Sequence, residues 1–246
     1  MKVIYNIGKY VMMLKYVFSR PEKFRIYRIR IFDEIEIIGL SSIPLVALMS
    51  VFMGAVITLQ TAANMDSPLL PVETIGYITR QSTILEFSPT IISLILAGKI
   101  GSNIASEVGT MRVTEQIDAL EIMGVNSLGY LVLPKVVAGL ITFPIIVILS
   151  MALSILGGLF AAVQTGLCSQ NDYVKGLRYY FIESDVAYGL VKPFFFAFII
   201  TTIASFYGYY TKGGALDVGR SSTKAVVYSS IGILLTNYFL TQIILT

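Results

Sequence analysis

The chain has 246 residues, of which 55% are hydrophobic and 13% are charged, and its mean hydropathy is +0.77. This composition excludes a soluble domain of this size and indicates a polytopic membrane protein. The net charge of +3 gives no indication of a nucleic-acid partner. With no His and a single Cys, Cys168, the chain can form neither an internal disulfide nor a Cys/His metal site.

The first 38 residues are basic and amphipathic. Eight Lys or Arg residues are spread over residues 1–30, without the apolar core or cleavage site of a signal peptide. Beyond Pro21, five apolar residues share one helical face: Phe24, Tyr27, Ile31, Ile35 and Ile38. The same stretch also alternates like a strand, but Tyr27 breaks the alternation and favours the helix. We expect residues 1–40 to form an interfacial region whose helix turns its apolar face to the bilayer; the alternative is a solvated basic arm.

Five apolar stretches follow, and each is long enough for the roughly 20 residues that a membrane-crossing helix needs. They are predicted at residues 43–60, 84–104, 130–167, 186–209 and 223–245. The predicted fold is therefore an all-α integral membrane protein. It has an N-terminal amphipathic helix, a transmembrane domain in residues 41–246 and a cytoplasmic helix at about 110–124, between spans two and three.

The distribution of Lys and Arg predicts the orientation. With the N-terminus inside, the inner side also holds six later cations: Lys99, Arg112, Lys135, Lys212, Arg220 and Lys224. The outer side holds only Arg80, Lys175 and Arg178, and Lys192 belongs clearly to neither side. Five spans then place the C-terminus outside.

Span two carries two rows of small residues at four-residue spacing. The first row is Ser93, Ala97, Gly101, Ala105 and Gly109; the second is Gly98, Ser102, Ser106 and Thr110. Span three has a similar row: Ser150, Ser154, Gly158 and Ala162. Small residues let helix backbones approach closely, which is a main source of helix association in lipid. The rows predict close helix contacts, either within the chain or with a second copy.

Two charged residues of span two are candidates for a substrate path, because charges in spans are costly and usually face protein or water. Glu86 and Lys99 lie thirteen residues apart, about 20 Å along a straight helix, so they do not pair with each other. The alternative for Glu86 is a water-facing position at the membrane interface.

The segment 104–124 reads as an acidic amphipathic helix between two spans. Thr114 is the expected N-cap and Gly124 the expected residue after the C-terminus. Val113, Ile117 and Leu120 share one face, and Glu115, Asp118 and Glu121 share another, on which Ile122 stands.

The charges of this helix favour a docking partner. Arg112 at its start and Glu121 near its end each oppose the helix dipole, by about 0.3–1 kcal/mol. A partner that supplies countercharge would explain this arrangement; the alternative is a solvated acidic face. The chain itself has no GxxxxGK[ST] nucleotide loop and, without His, no Ser–His or Cys–His pair.

The stretch EVGTMRVTEQIDALEIMGVNS at residues 107–127 resembles the signature of the MlaE-type lipid transporter permeases. Further matches are FMGAVITLQ at 52–60, AGKIGSNIASE at 97–107 and VGRSSTKAVVYSS at 218–230. The resemblance covers nearly the whole chain, in the same order. It implies the membrane subunit of an ABC transporter that moves phospholipids between the inner membrane and the periplasm or outer membrane of Gram-negative bacteria.

The resemblance also implies partners. These are a second copy of the chain, cytoplasmic ATPases that bind the ATP and Mg²⁺, often a small STAS-domain subunit, and a periplasmic MCE-domain protein. No cofactor or metal is expected in the chain itself. Sterols or fatty acids are alternative cargoes, because relatives differ in cargo.

Site residues carried over from the family motifs fall into three groups. The expected ATPase-coupling residues are Arg112, Glu115, Asp118, Leu120, Glu121 and Ile122. The expected lipid pathway includes Ile57, Gln60, Glu86 and Lys99, and the expected packing residues are Ala97, Gly101, Ala105 and Gly109. The family motif before Glu86 has an Arg where this chain has Leu85, so Arg80 or Lys99 is a candidate to replace it.

Three other classes fit the sequence less well. A secondary transporter is expected to have paired broken helices in two inverted halves, and five spans do not divide that way. An intramembrane enzyme would need a carboxylate or Ser/Lys cluster, and none is evident. A purely structural membrane scaffold is possible if the partner ATPase is absent.

Overall fold

The computed structural model describes residues 2–19, 24–65 and 71–245, without the side chains of residues 2, 3, 24–26, 244 and 245. Within these residues the regular structure is helical and contains no strand. The predicted break at Pro21 lies outside them. The helices are α1 (Lys2–Ser19), α2 (Phe24–Ile38), α3 (Ile43–Ala63), α4 (Thr74–Val113), α5 (Gln116–Ile122), α6 (Ser127–Gln164), α7 (Gln170–Arg178), α8 (Glu183–Tyr209) and α9 (Ala215–Leu245).

In the described part of the chain, five helical segments are long and apolar enough to cross a membrane: α2 with α3, then α4, α6, α8 and α9. This confirms the predicted number of spans. The helices extend beyond most of the predicted ends because backbone hydrogen bonding continues past the apolar stretch. The 40 residues of α4 span about 60 Å, twice the roughly 30 Å of bilayer hydrocarbon.

Two boundaries differ more from the predictions. Span three was predicted to run to residue 167, but α6 ends at Gln164 because Gly166 adopts a φ of 69° and closes the helix. The short helix α7 was not predicted. Its Ser169 N-cap accepts a hydrogen bond from the Asp172 amide, a local signal that the sequence does contain.

The main apolar core lies among α4, α6 and α8, and α3 joins the fold through a close backbone contact with α6. A Cβ atom on Gly54 would lie 1.8 Å from the carbonyl oxygen of Ser154, and one on Gly157 would lie 2.2 Å from that of Val51. Ser50 donates a hydrogen bond of 2.9 Å to Ser150 across the same contact. Residues of span three's small row therefore hold α3 and α6 together within one chain.

The N-terminal segment forms two helices, and α2 confirms the prediction of a helix rather than a strand. Tyr27 and Ile38, from the face that was expected to meet the bilayer, are buried, and α2 packs on α6. Ile29 and Phe32 are exposed instead. The expectation that this face of α2 meets the bilayer was wrong. Helical periodicity identifies an apolar face but does not show what covers it.

Candidate functional site

The predicted acidic helix is two helices separated by a sharp turn. The first half belongs to α4, which ends at Val113, and α5 begins only at Gln116. Thr114 is not an N-cap: its hydroxyl donates 2.8 Å back to the Thr110 carbonyl and closes α4. Glu115 follows with a φ of 59°, a left-handed conformation that is unfavourable for a non-glycine residue. Arg112 therefore lies in the last turn of α4, where the helix dipole favours a cation, and not at the start of α5.

The end of α5 agrees with the prediction. Gly124 has a φ of 77° and its amide donates to the Glu121 carbonyl, while the Val125 amide donates to the Leu120 carbonyl. These two bonds form a Schellman motif, which satisfies carbonyl groups that the helix leaves unpaired.

One side of α5 is fastened to the helices of its own chain. Ile117 is fully buried, and Asp118 forms an ion pair of 2.7 Å with Arg112. Glu121 accepts hydrogen bonds from Tyr209 at 2.7 Å and from Ser127 at 2.8 Å, which hold the pKa of its carboxyl below the usual range. Asp118 therefore finds within the chain the countercharge that the sequence argument assigned to a partner.

The other side of α5 is free in the single chain. Ile122 is 87% exposed, Met123 is 68% exposed, and Glu115 is also exposed. Leu120 is half-buried beside the core. An apolar tip on a short, fixed helix can contact a second protein without rearrangement of the helix.

A second site surrounds Glu86, which lies in a π-helical segment of α4 that also contains Pro89. Lys192 of α8 donates 2.6 Å to the Glu86 carboxylate and 2.9 Å to the Leu85 carbonyl. Asn237 and Thr241 of α9 donate to the same carboxylate at 3.0 and 3.1 Å. The cluster thus joins three crossing helices around one carboxylate, and π-helical segments are frequent at functional sites.

The Glu86 cluster opens into a groove of about 370 Å³ on the exposed side of α9, lined also by Leu234, Tyr238 and Gln242. The Lys192 side chain is fully buried, whereas 41% of the Glu86 side chain is exposed. Most of the exposed lining of the groove is apolar, and its polar groups, Asn237, Thr241 and Gln242, accompany the Glu86 carboxylate. Sequence reasoning missed Lys192, Asn237 and Thr241, although Lys192 is the lone charge of span four, a feature that points to a partner.

The other predicted pathway residues do not lie in this groove. Ile57 is buried, and Gln60 is exposed near the end of α3. Lys99 donates to the Ser41 carbonyl oxygen, just before α3. Arg80 is buried and donates to the carbonyl oxygens of residues 177, 179 and 180, so it does not replace the missing arginine beside Glu86. The cation that pairs with Glu86 is Lys192.

The first small-residue row of span two packs against α8 and, at Gly109, against α9, whereas the second row meets α9 at Ser102. A Cβ on Gly101 would contact Ile200 of α8 at 3.7 Å, and Gly208 of α8 lies against the Ala105 backbone. Ala97 and Ala105 are fully buried, and Gly109 lies against Val218 at the start of α9. In the second row, Ser102 accepts a hydrogen bond from Ser222 of α9, whereas a Cβ on Gly98 would meet open space. The first row thus serves packing within the chain.

The described residues form five helical segments that can cross a membrane, with the short helix α5 between two of them. A polar cluster opens into a mostly apolar groove. Together these features define a multi-pass helical membrane protein. The comparisons with known proteins narrow this class. The family profile described as Permease MlaE matches residues 31–243, and the chain belongs to this family.

Several curated proteins are similar to the chain over most of its length. The "Probable ABC transporter permease protein" of Rickettsia bellii is 37% identical over 97% of this chain and 92% of its own. The protein slr1045 of Synechocystis, with the same description, is 33% identical over 88% and 82%. The chloroplastic protein TRIGALACTOSYLDIACYLGLYCEROL 1 of Arabidopsis thaliana is 30% identical over 85% and 60%. The chain is thus a permease of an ABC transporter, that is, a transport subunit.

Proposed function

We propose that this permease moves phospholipids between the inner membrane and the periplasm or outer membrane, driven by a separate cytoplasmic ATPase that binds ATP and Mg²⁺. The observation that carries this proposal is the two-sided character of α5. Ile117, Asp118 and Glu121 fasten it to the bundle, while Ile122 projects outward. A helix held in this way transmits a push to the helices beside it.

Two helices connect α5 directly to the groove. Helix α4 runs without interruption from the turn at Thr114 back to Glu86, and Glu121 is bonded to Tyr209 at the end of α8. Helix α8 carries Lys192, the partner of Glu86. Movement of α5 therefore acts on both helices that hold the Glu86 cluster.

The lipid cargo is supported by the exterior of α9 and by one relative. Only 11% of the most apolar stretch of α9 is buried, against 33–56% in the other four candidate spans of the described chain. The exposed face and the acidic point at Glu86 suit an amphiphile with an apolar tail and a polar headgroup. The name of the Arabidopsis relative refers to a galactolipid.

The complete transporter is proposed to contain two copies of this chain, with the exposed faces of α9 enclosing the lipid path between them. A STAS-domain subunit and a periplasmic MCE-domain protein complete the proposed assembly. The chain is placed in the bacterial inner membrane, with its N-terminus in the cytoplasm and its C-terminus in the periplasm.

The coupling role is tested by Ile122→Asp. The variant removes an apolar contact without touching the bonds that hold α5, so the permease is expected to fold normally but lose the ATPase on copurification. Leu216→Asp, at an 81% exposed position at the start of α9, is the matched control and should retain the ATPase. Normal ATPase recovery with Ile122→Asp would contradict the proposed docking site.

The cargo is tested by mass spectrometry of lipids that copurify with the complex, followed by ATP-dependent transfer of labelled lipids from proteoliposomes. We expect phospholipids to be enriched and transferred. Selective enrichment of sterols or fatty acids, with no phospholipid transfer, would assign the chain to the alternative cargo class.

A further inference from the structure

A second fully buried ammonium group lies near the α5 end of the bundle. The Lys135 side chain of α6 is 1% exposed and forms ion pairs with Glu34 of α2 at 2.5 Å and with Glu107 of α4 at 2.7 Å. Three helices that are distant in sequence therefore meet at one nitrogen atom. Glu107 begins the stretch 107–127 that resembles the family signature, but neither the residues expected to couple to an ATPase nor the Glu86 groove gives Lys135 and Glu34 a role.

The composition of the cluster is unfavourable for stability alone. It contains two carboxylates for one ammonium, and Glu34 Oε2 is buried with no hydrogen-bond partner among the described residues. The Lys135–Glu34 pair is buried, whereas the Glu107 side chain is 41% exposed. A buried ion pair loses much of its Coulomb energy to desolvation, and apolar residues of similar size are often as stable or more so. A role in positioning the three helices is therefore a better explanation than stabilisation of the fold.

The position of the cluster connects it to α5. Glu107 lies six residues before the end of α4, and Lys135 lies eight residues after the start of α6, about 9 and 12 Å along the two helices. These are the helices that enter and leave the α5 segment. Glu34 adds α2, which continues through the turn at Leu40–Ser42 into α3.

We propose that Lys135 is a positioning residue that joins α4, α6 and α2 into one lever. The Lys135–Glu107 pair holds the two helices that flank α5 at a constant separation. The Lys135–Glu34 pair passes their displacement to α2 and, through the short turn, to α3. This proposal rests on the proposed role of α5 in coupling to an ATPase.

The test uses two single variants, Glu34→Leu and Glu107→Leu, in the complete complex with its ATPase. Each variant removes one carboxylate and leaves Lys135 one partner, so the cluster becomes neutral and the chain is expected to fold. Thermal stability and ATPase copurification should remain normal. The number of lipids transferred per ATP hydrolysed should fall about fivefold, the lower end of a typical coupling free energy between two sites. Glu73→Leu removes a more exposed ion pair, that of Glu73 with Lys175, and as the matched control it should behave as the wild type.

Two results would overturn the lever. One is a loss of thermal stability with an unchanged lipid-to-ATP ratio, which would assign the cluster a structural role only. The other is no change in either quantity. A wild-type complex that binds no ATPase or transfers no lipid would instead contradict the proposed function, and this is established before any variant is compared.

Discussion

Lys192 and Glu86 form an ion pair, but their side chains differ in exposure to water. The Lys192 side chain is fully buried, and it also approaches the Tyr188 ring to 4.7 Å, whereas the Glu86 side chain is 41% exposed. Removal of Glu86 therefore leaves a buried ammonium group, whereas removal of Lys192 leaves a carboxylate that water reaches.

Glu86→Leu is expected to destabilise the chain more than Lys192→Met. The first variant leaves a buried ammonium with only the Leu85 carbonyl and the Tyr188 ring, at a cost of about 3 kcal/mol. The second leaves a carboxylate that keeps neutral donors and some water, at a cost of about 1–2 kcal/mol. Thermal unfolding in detergent shows which variant is less stable. The stability of the double variant should be close to that of Lys192→Met. A reversed order would show that the Lys192 environment is more polar than its burial indicates.

Glu121 makes the attachment of α5 dependent on pH. Hydrogen bonds from Tyr209 and then Ser127 lower the pKa of its carboxyl below 4.5. Because the folded pKa lies below the unfolded one, these bonds contribute fully above about pH 4.5 and are lost as the pH falls through the folded pKa. Amide hydrogen exchange of Gln116–Ile122, corrected for the intrinsic pH dependence, should show more protection in the wild type than in Glu121→Gln at pH 6. The two should converge at low pH, and a difference that persists there would contradict this attachment.

At the scale of whole helices, glycine residues allow two helix backbones to come into direct contact. Gly54 and Gly157 lie where α3 and α6 are in backbone contact, and no other residue type fits there without moving a helix. The small rows of α4 likewise face α8 and α9. Helix association in lipid depends on such close packing, since the bilayer is itself apolar.

Gly54→Ala is expected to destabilise the bundle by about 1–3 kcal/mol, because the added methyl group meets the Ser154 carbonyl and forces α3 away from α6. Gly98→Ala is the matched control within a span. Its Cβ meets open space, and the better helix propensity of Ala should make it neutral or stabilising by about 0.5–1 kcal/mol. Resistance to unfolding in SDS separates the two. Equal stability of both variants would refute the close α3–α6 contact.

For the molecule as a whole, the proposed topology has the two ends of the chain on opposite sides of the membrane, since the described residues contain five candidate spans. The short helix α5 and the loop between α7 and α8 lie beyond opposite ends of the crossing helices. The proposal assigns the side with α1, α5 and the α8–α9 loop to the cytoplasm because Lys and Arg are in excess there.

Cysteine labelling tests this orientation. In a Cys168→Ser background the chain has no cysteine, and single cysteines are then placed at Leu216 and Tyr180, which are 81% and 71% exposed. A membrane-impermeant maleimide should label Tyr180→Cys when it reaches only the periplasmic side of the inner membrane. It should label Leu216→Cys, which lies outside the proposed ATPase contact, only after that membrane is permeabilised. The opposite pattern would invert the proposed topology.

The sequence by itself determined the features that depend on one helix at a time. Apolar length predicted five spans and Gly124 marked the end of α5, because each depends on residues close in the chain. The orientation, which was inferred from the charges of all the loops, stays a prediction. The family resemblance came from residues 107–127 for the same reason.

Only the tertiary structure decided which groups meet. Glu86 was a candidate from its position, but its partner Lys192 lies 106 residues away, and Glu34, Glu107 and Lys135 meet only because α2, α4 and α6 pack together. The turn at Thr114 and Glu115 likewise placed Arg112 on α4, where it pairs with Asp118. Helical periodicity shows which residues share a face, whereas the packing of small residues between helices decides which faces touch.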